Sequence, residues 1–275
     1  MVPTSAFTSR ALFALIAVTS ACETTTPRQP PAQTATALSA PTAPAPADAA
    51  STHPVPAAAR DLDAQVPPKP SPQPASTACN VALVGDSLTD FRVHGGGYVR
   101  YLEQRCPASH FENFAKGGAM VNQMRRWFEE QVVPEPHGTF THVVVFGGVN
   151  DLYSDETAGR TTSKIETDLS AIYAAAKAHG ARVVALTVAP WGGFTRYFTP
   201  HRADTTRELN TWILAGPARG TVDVTVDAHA LLGCGDPDKL CERYENARSD
   251  GLHFGRAGHE VLGRALYDAE FSACP

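Results

Sequence analysis

Several functional classes are excluded by what this chain lacks. No basic block stands out along its 275 residues, and the formal charge is −5, which argues against a nucleic-acid partner. No apolar run is long enough to span a bilayer as a helix. The cysteines show none of the tight paired spacings that zinc favours. Gly95-Gly96-Gly97 lacks the lysine and the spacing of a phosphate loop, and reads as a flexible bend. A Gly-x-Ser-x-Gly nucleophile elbow is missing altogether. No internal repeat of long period is visible.

Glycine is also missing between Glu23 and Ser76, where Pro, Ala, Thr and Gln dominate and more than half of the 22 prolines fall. Such a stretch cannot offset its ordering entropy by burial, so residues 23–77 are expected to form a disordered, partly polyproline II tether. Residues 1–22 resemble an export signal, with Arg10 ahead of an apolar run from Ala11 to Ala21. Ser20 and Ala21 directly before Cys22 resemble a bacterial lipobox, which makes Cys22 the expected lipidation site. The expected location is therefore the cell envelope, with membrane contact through a lipid anchor only. Glu23 after the Cys points to the outer membrane if the source is Gram-negative.

The remaining cysteines, Cys79, Cys106, Cys234, Cys241 and Cys274, fit an oxidising compartment. Cys234 and Cys241 flank a short loop and suit a local bridge. Cys79 can pair with Cys106 or with Cys274, and the odd count leaves one thiol over.

From residue 78 onward the pattern changes to apolar runs separated by amphipathic segments. Strands are expected at Val81–Val84, Phe111–Phe114, His142–Phe146, Arg182–Val188 and Val222–Val226. Helices are expected at Tyr98–Gln104, across Met120–Phe128, after a Ser163/Glu166 capping box, at Thr206–Leu214, and around Val261–Leu266. Alternating strands and helices predict one α/β domain over residues 78–275, a three-layer αβα sandwich around a mainly parallel sheet.

In an open parallel sheet, functional groups gather at the carboxyl ends of the strands. After the first strand comes Gly85-Asp86-Ser87-Leu88-Thr89. The second is followed by Asn113 through Gly117-Gly118, and the third by Gly148-Val149-Asn150-Asp151. Asp250-Gly251-Leu252-His253 lies between the fifth strand and the last helix. These clusters hold a hydroxyl, backbone donors, an amide, an imidazole and a carboxylate, which are the parts acyl transfer requires. A hydroxyl needs a base within reach, and an imidazole that titrates near neutrality can supply it. Asp250, three residues before His253, can hold the imidazole tautomer. Asp86 and Asp151 are expected to brace the loops through backbone N–H groups. Trp191 and Phe194, after the fourth strand, are candidates for a substrate wall, with a self-packed surface loop as the alternative. His94, His201 and His259 show no ligand spacing and read as solvated or structural.

The Gly-Asp-Ser-Leu, Gly-x-Asn-Asp and Asp-x-x-His blocks, in this order over residues 79–275, resemble the SGNH (GDSL) hydrolases. The resemblance implies a flavodoxin-like five-stranded sheet and a serine esterase working through an acyl-enzyme. Ser87, Asp250 and His253 are then the catalytic residues. The oxyanion hole is formed by the backbone N–H groups of Ser87 and Gly118, with Gly117 a close rival, and by the Asn150 amide. Neither a cofactor nor a metal is expected, and the chain is expected to be a monomer. The substrate expected is an ester, with an O-acetylated envelope or extracellular polysaccharide foremost. A short-chain lipid or acyl ester, acyl transfer to a sugar acceptor, and a non-catalytic glycan-binding module are the alternatives.

Overall fold

The structure is a computed structural model that describes residues 78–134 and 140–275. The export-like segment with Cys22 and the Pro-rich tether lie outside the described residues. Five short strands form one parallel sheet: β1 (Asn80–Gly85), β2 (His110–Asn113), β3 (His142–Phe146), β4 (Arg182–Leu186) and β5 (Val224–Val226). Their order is β2-β1-β3-β4-β5. In β1, Val81 stands opposite Phe111 on one side and His142 on the other. This is the doubly wound, flavodoxin-like order, and its switch point lies between β1 and β3.

The strands read as nearly continuous apolar runs because both faces of the sheet are covered. Side chains alternate between the faces. Ala82, Val84, Val143 and Val145 pack against α2 (Val121–Trp127), α5 (Thr162–Ala178) and α6 (Pro200–Leu214). Val81, Leu83, Val144 and Phe146 pack against α1 (Gly97–Arg105) and α8 (Arg256–Ala269). The shorter helices α3 (Val149–Tyr153), α4 (Asp155–Ala158) and α7 (Ala228–Leu232) complete the loops.

Three details differ from the sequence expectation. The N-cap of α5 is Thr161, whose hydroxyl accepts from the Lys164 N–H, so the Ser163/Glu166 box does not form at that end. The α6 helix begins six residues earlier than Thr206, at Pro200, because Thr199 caps it and proline suits a first helical turn. A two-stranded antiparallel ribbon, β6 (Gly233–Cys234) with β7 (Asp236–Leu240), was not expected at all.

The Cys234–Cys241 disulfide closes that ribbon. A second disulfide joins Cys79, just before β1, to Cys274 near the C-terminus, with a Cα–Cα distance of 5.9 Å. Cys106 is the unpaired thiol, and it is buried. Among the described residues, no helix is long and apolar enough to cross a membrane.

Candidate active site

Past β1 the chain turns sharply, with the N–H groups of Thr89 and Asp90 both returning to the Asp86 carbonyl (3.1 and 2.9 Å). The fully buried Asp86 side chain accepts the Leu88 N–H at 3.0 Å, which fixes the turn from inside. Ser87 is thereby delivered to the carboxyl edge of the sheet. Its Oγ lies 2.9 Å from His253 Nε2, and His253 Nδ1 lies 3.0 Å from Asp250 Oδ2. The other Asp250 oxygen accepts the backbone N–H groups of Leu252 (3.0 Å) and His253 (2.8 Å).

Partial burial works to raise the Asp250 pKa. The backbone bonds from His253 and Leu252, together with the imidazole, outweigh it and hold the carboxyl below its ordinary value. A carboxylate that stays ionised fixes the imidazole with Nδ1 protonated, leaving Nε2 free to accept the Ser87 proton.

The donors opposite the serine separate into free and engaged groups. Among the described residues, the Ser87 and Gly118 N–H groups have no hydrogen-bond acceptor. Gly118 adopts φ +75°, a left-handed conformation suited to glycine, and an added Cβ there would meet nothing within 4 Å. The Gly117 N–H is already committed to Asp90 Oδ2 at 2.8 Å. The two glycines left open by the sequence are thus distinguished, and Gly118 holds the available donor. Asn150 lines the same cleft. Its amide donates to the Ala119 carbonyl (3.0 Å) and, more loosely, to Asp86 Oδ2 (3.2 Å). The looser of these bonds is the one a developing oxyanion can compete for.

Asp86 and Asp151 brace their loops, Asp86 through Leu88 and Asp151 through the Val121 N–H at 2.8 Å. Burial, with the nearby Asp151 charge adding to it against the Leu88 N–H, pushes the Asp86 pKa up to about 7. The Gly95–Gly97 bend is not loose, as its spacing suggested. The Gly96 N–H bonds Leu88 O at 2.9 Å and the Gly95 N–H bonds Asp90 O at 3.0 Å, so the bend is fastened to the serine loop.

One member of the expected substrate wall is corrected. Trp191 is only 1% exposed, packs edge-on to Phe198 with ring centroids 4.8 Å apart, and donates its indole N–H to Thr206. It is core, enclosed by Phe198 and satisfied by the Thr206 hydroxyl. Phe194 does line the cleft, beside Tyr153.

Asp90 was overlooked in the sequence. Its carboxylate joins the Gly117 N–H to the Arg92 side chain, and Arg92 also donates to the Ala115 carbonyl at 2.7 Å. Those bonds, with Asn113 Nδ2 donating to Thr89 O (2.7 Å), tie the Gly118 loop to the serine loop. An aspartate three residues past a turn serine reads as an ordinary turn former, and nothing local signals a partner 27 positions away.

The cleft around these groups has a volume of about 1180 Å³. Among the described residues, no group of three His, Cys, Asp or Glu side chains is arranged to hold a metal ion.

A family model described as the GDSL-like lipase/acylhydrolase family matches residues 83–261, more than half of the chain. Solved structures share the fold at low identity. A GDSL-like lipase from Bacteroides thetaiotaomicron is 19% identical with a TM-score of 0.54, over 69% of this chain and 86% of that one. An acetyl xylan esterase matches at 19% identity and TM-score 0.54, over 69% of this chain and 98% of its own. A variant of an acetyl-xylooligosaccharide esterase from Geobacillus matches at 18% identity and TM-score 0.53, over 70% and 94%. The search among curated proteins found no match.

Proposed function

The chain belongs to the GDSL-like lipase/acylhydrolase family, and from that premise we propose that it is a serine esterase acting on O-acetyl groups of an envelope or extracellular polysaccharide. The observation that carries the reaction is the continuous bond chain Ser87 Oγ–His253 Nε2, His253 Nδ1–Asp250 Oδ2, at 2.9 and 3.0 Å.

In this mechanism Ser87 Oγ attacks the ester carbonyl as its proton passes to His253 Nε2. Negative charge developing on the carbonyl oxygen meets the Ser87 and Gly118 N–H groups, and the Asn150 amide shifts toward it from its longer bond to Asp86. The imidazolium returns its proton to the leaving alcohol, an acyl-enzyme remains on Ser87, and water deprotonated by His253 releases the acid. The carbohydrate reading is supported by Phe194 and Tyr153 in the cleft, which offer apolar faces to a sugar ring. The likeness to esterases of acetylated xylan and xylooligosaccharide supports it further. The export-like segment and Cys22 suit a monomer tethered in the envelope, and loss of membrane association in Cys22→Ala tests that anchor.

The reaction is tested with p-nitrophenyl acetate and acetylated xylan, comparing the full chain with its Ser87→Ala variant. Hydrolysis is expected only with the serine present, and equal rates in the two proteins would refute the esterase reading.

A further inference from the structure

The cleft extends well beyond the reacting groups, and its far part has a different chemistry. Gly97, Arg100, Tyr101, Gln104 and Arg105 all line it. They recur at the i, i+3, i+4, i+7, i+8 spacing of one helix face, while Tyr98, Val99 and Leu102 on the opposite face are buried. From Gly97 to Arg105 this face runs about 12 Å along the axis. Arg248 and Arg256 line the same space from the base loop and the first turn of α8.

Four arginines therefore face one trough in a chain whose formal charge is −5. Among the described residues, the only carboxylates lining it are Asp250, bonded to His253, and Glu260 on α8. Arg105 is held against Tyr101 and Tyr267. Arg100, Arg248 and Arg256 have no carboxylate within ion-pair distance among the described residues, although Arg92, Arg125, Arg160, Arg182, Arg202 and Arg207 all have one.

The end of a helix points the same way. The 14-residue α8 opens on the cleft at Gly255 and Arg256 with no side-chain cap, leaving the partial positive charge of its N-terminus uncompensated. His259 also borders the cleft, but its ring is 7% exposed and packed between Tyr98 and Phe254, so its buried Nδ1 serves the wall and not a ligand.

The geometry points to an anion-binding subsite in this trough, formed by Arg100, Arg248 and Arg256 and flanked by the N-terminus of α8, that receives carboxylates of an acidic glycan. The substrate is then an O-acetylated polyuronate, seated with its reacting acetyl group at Ser87 and neighbouring uronates along α1. Guanidinium groups suit this task, since each offers a planar pair of N–H donors to a carboxylate. Tyr101 lies among them and adds a hydroxyl and an aromatic edge to the trough wall. A concave trough favours a single polymer chain over a flat anionic membrane. The identity of the bond cleaved rests on the esterase reading above; the subsite itself does not.

Binding and turnover are therefore measured separately. Calorimetric titration of the full chain carrying Ser87→Ala uses an oligogalacturonide and the same oligomer with its carboxyls methylated. The free acid is expected to bind roughly tenfold or more tightly than the methyl ester. The preference should shrink between about 0.05 and 0.5 M salt, where screening shortens from beyond 10 Å to a few ångströms. It should vanish in Arg100→Gln/Arg248→Gln/Arg256→Gln, whose fold is checked by thermal unfolding. Arg248→Gln alone, on an exposed loop, replaces the triple variant if that variant fails to fold, and must reduce the preference by at least about threefold.

Equal binding of the two oligomers, binding of neither, or a preference that survives the arginine substitutions would each overturn the subsite. So would arginine-dependent binding to phosphatidylglycerol vesicles without oligogalacturonide binding. Turnover of O-acetylated oligogalacturonide against p-nitrophenyl acetate separates the two readings. Ser87-dependent hydrolysis with no preference for the acidic ester removes the subsite alone. Arginine-dependent binding with no hydrolysis of either ester removes the esterase reading and leaves the subsite standing.

Discussion

The loop that carries Ser87 is closed to solvent at Asp86, Thr89 and Asp90 (0%, 0% and 4% exposed). The side chains of His253 and Asp250, on the loop that meets it, are 34% and 29% exposed. The serine loop is braced from several directions: Asp86 bonds Leu88, Thr89 bonds Tyr98, Asn113 bonds Thr89, and Asp90 bonds Gly117. The base loop is held by its own aspartate, by the tight passage of Gly251 against Gly193, and by backbone bonds to the 244–246 segment, where the Asn246 N–H donates to the His253 carbonyl and the Gly255 N–H to Tyr244 O. The difference shows that a nucleophile and its base can be held to within 3 Å of each other by unlike means. Buried side-chain bonds fix the serine, while a partly exposed turn, bonded to itself and to the 244–246 segment beside it, fixes the imidazole.

The largest effect should come from the junction itself. Ser87→Ala is expected to lower kcat/KM for p-nitrophenyl acetate by about 10⁴-fold or more, with thermal stability unchanged. Asp250→Asn tests the base loop at its centre. It should cost about 10³- to 10⁴-fold in kcat by releasing the imidazole tautomer, and a loss under tenfold would mean the turn alone orients His253.

Gly251→Ala probes the backbone passage. Gly251 sits at φ +72°, and an added Cβ would lie 2.0 Å from the Gly193 carbonyl carbon. Displacing His253 by even an ångström should cost about a hundredfold in kcat. Urea unfolding should show a loss of about 2 kcal/mol or more. Asp90→Asn probes the bracing of the serine loop and the Gly118 donor. Because it loosens one donor without removing it, about a tenfold fall in kcat with little change in KM is expected. An unchanged kcat would show that the remaining bonds suffice.

A pH dependence of stability comes last. Burial raises the Asp86 pKa from 3.8 to about 7, so between those values the folded chain keeps a proton that the unfolded chain has released. The resulting stabilisation is fully present below about pH 4 and is lost as pH climbs through about 7. Asp86→Asn should flatten that part of the Tm-against-pH curve, and a curve parallel to the parent's would exclude Asp86 as its source.

Much of the arrangement was legible because it depends on local pattern. The run Val81–Val84 ending in Gly85, and His142–Phe146 running into Gly147, could only be buried strands, and the groups after them had to gather at one sheet edge. Ile165, Leu169, Ile172 and Tyr173 marked the buried face of α5 for the same reason. Trp191 was not legible in the same way, because an aromatic residue after a strand looks the same whether it faces a ligand or the core. Only the packing of Phe198 against it and the Thr206 hydroxyl at its indole N–H decided it. The choice of Cys274 over Cys106 as the partner of Cys79 likewise required the C-terminal segment to be placed beside β1.

The order of apolar runs, turn residues and chemistry-bearing blocks fixed in the chain itself that this is a parallel α/β sheet with a hydroxyl, an amide, an imidazole and a carboxylate along one edge. Such periodicities act over a few residues and survive in one dimension. Tertiary structure alone decided which N–H groups remain unclaimed, that Asp90 serves a glycine 27 positions ahead, and that arginines from three separate segments share one trough. Those outcomes depend on distances between remote segments, and packing sets them, since no local pattern encodes them.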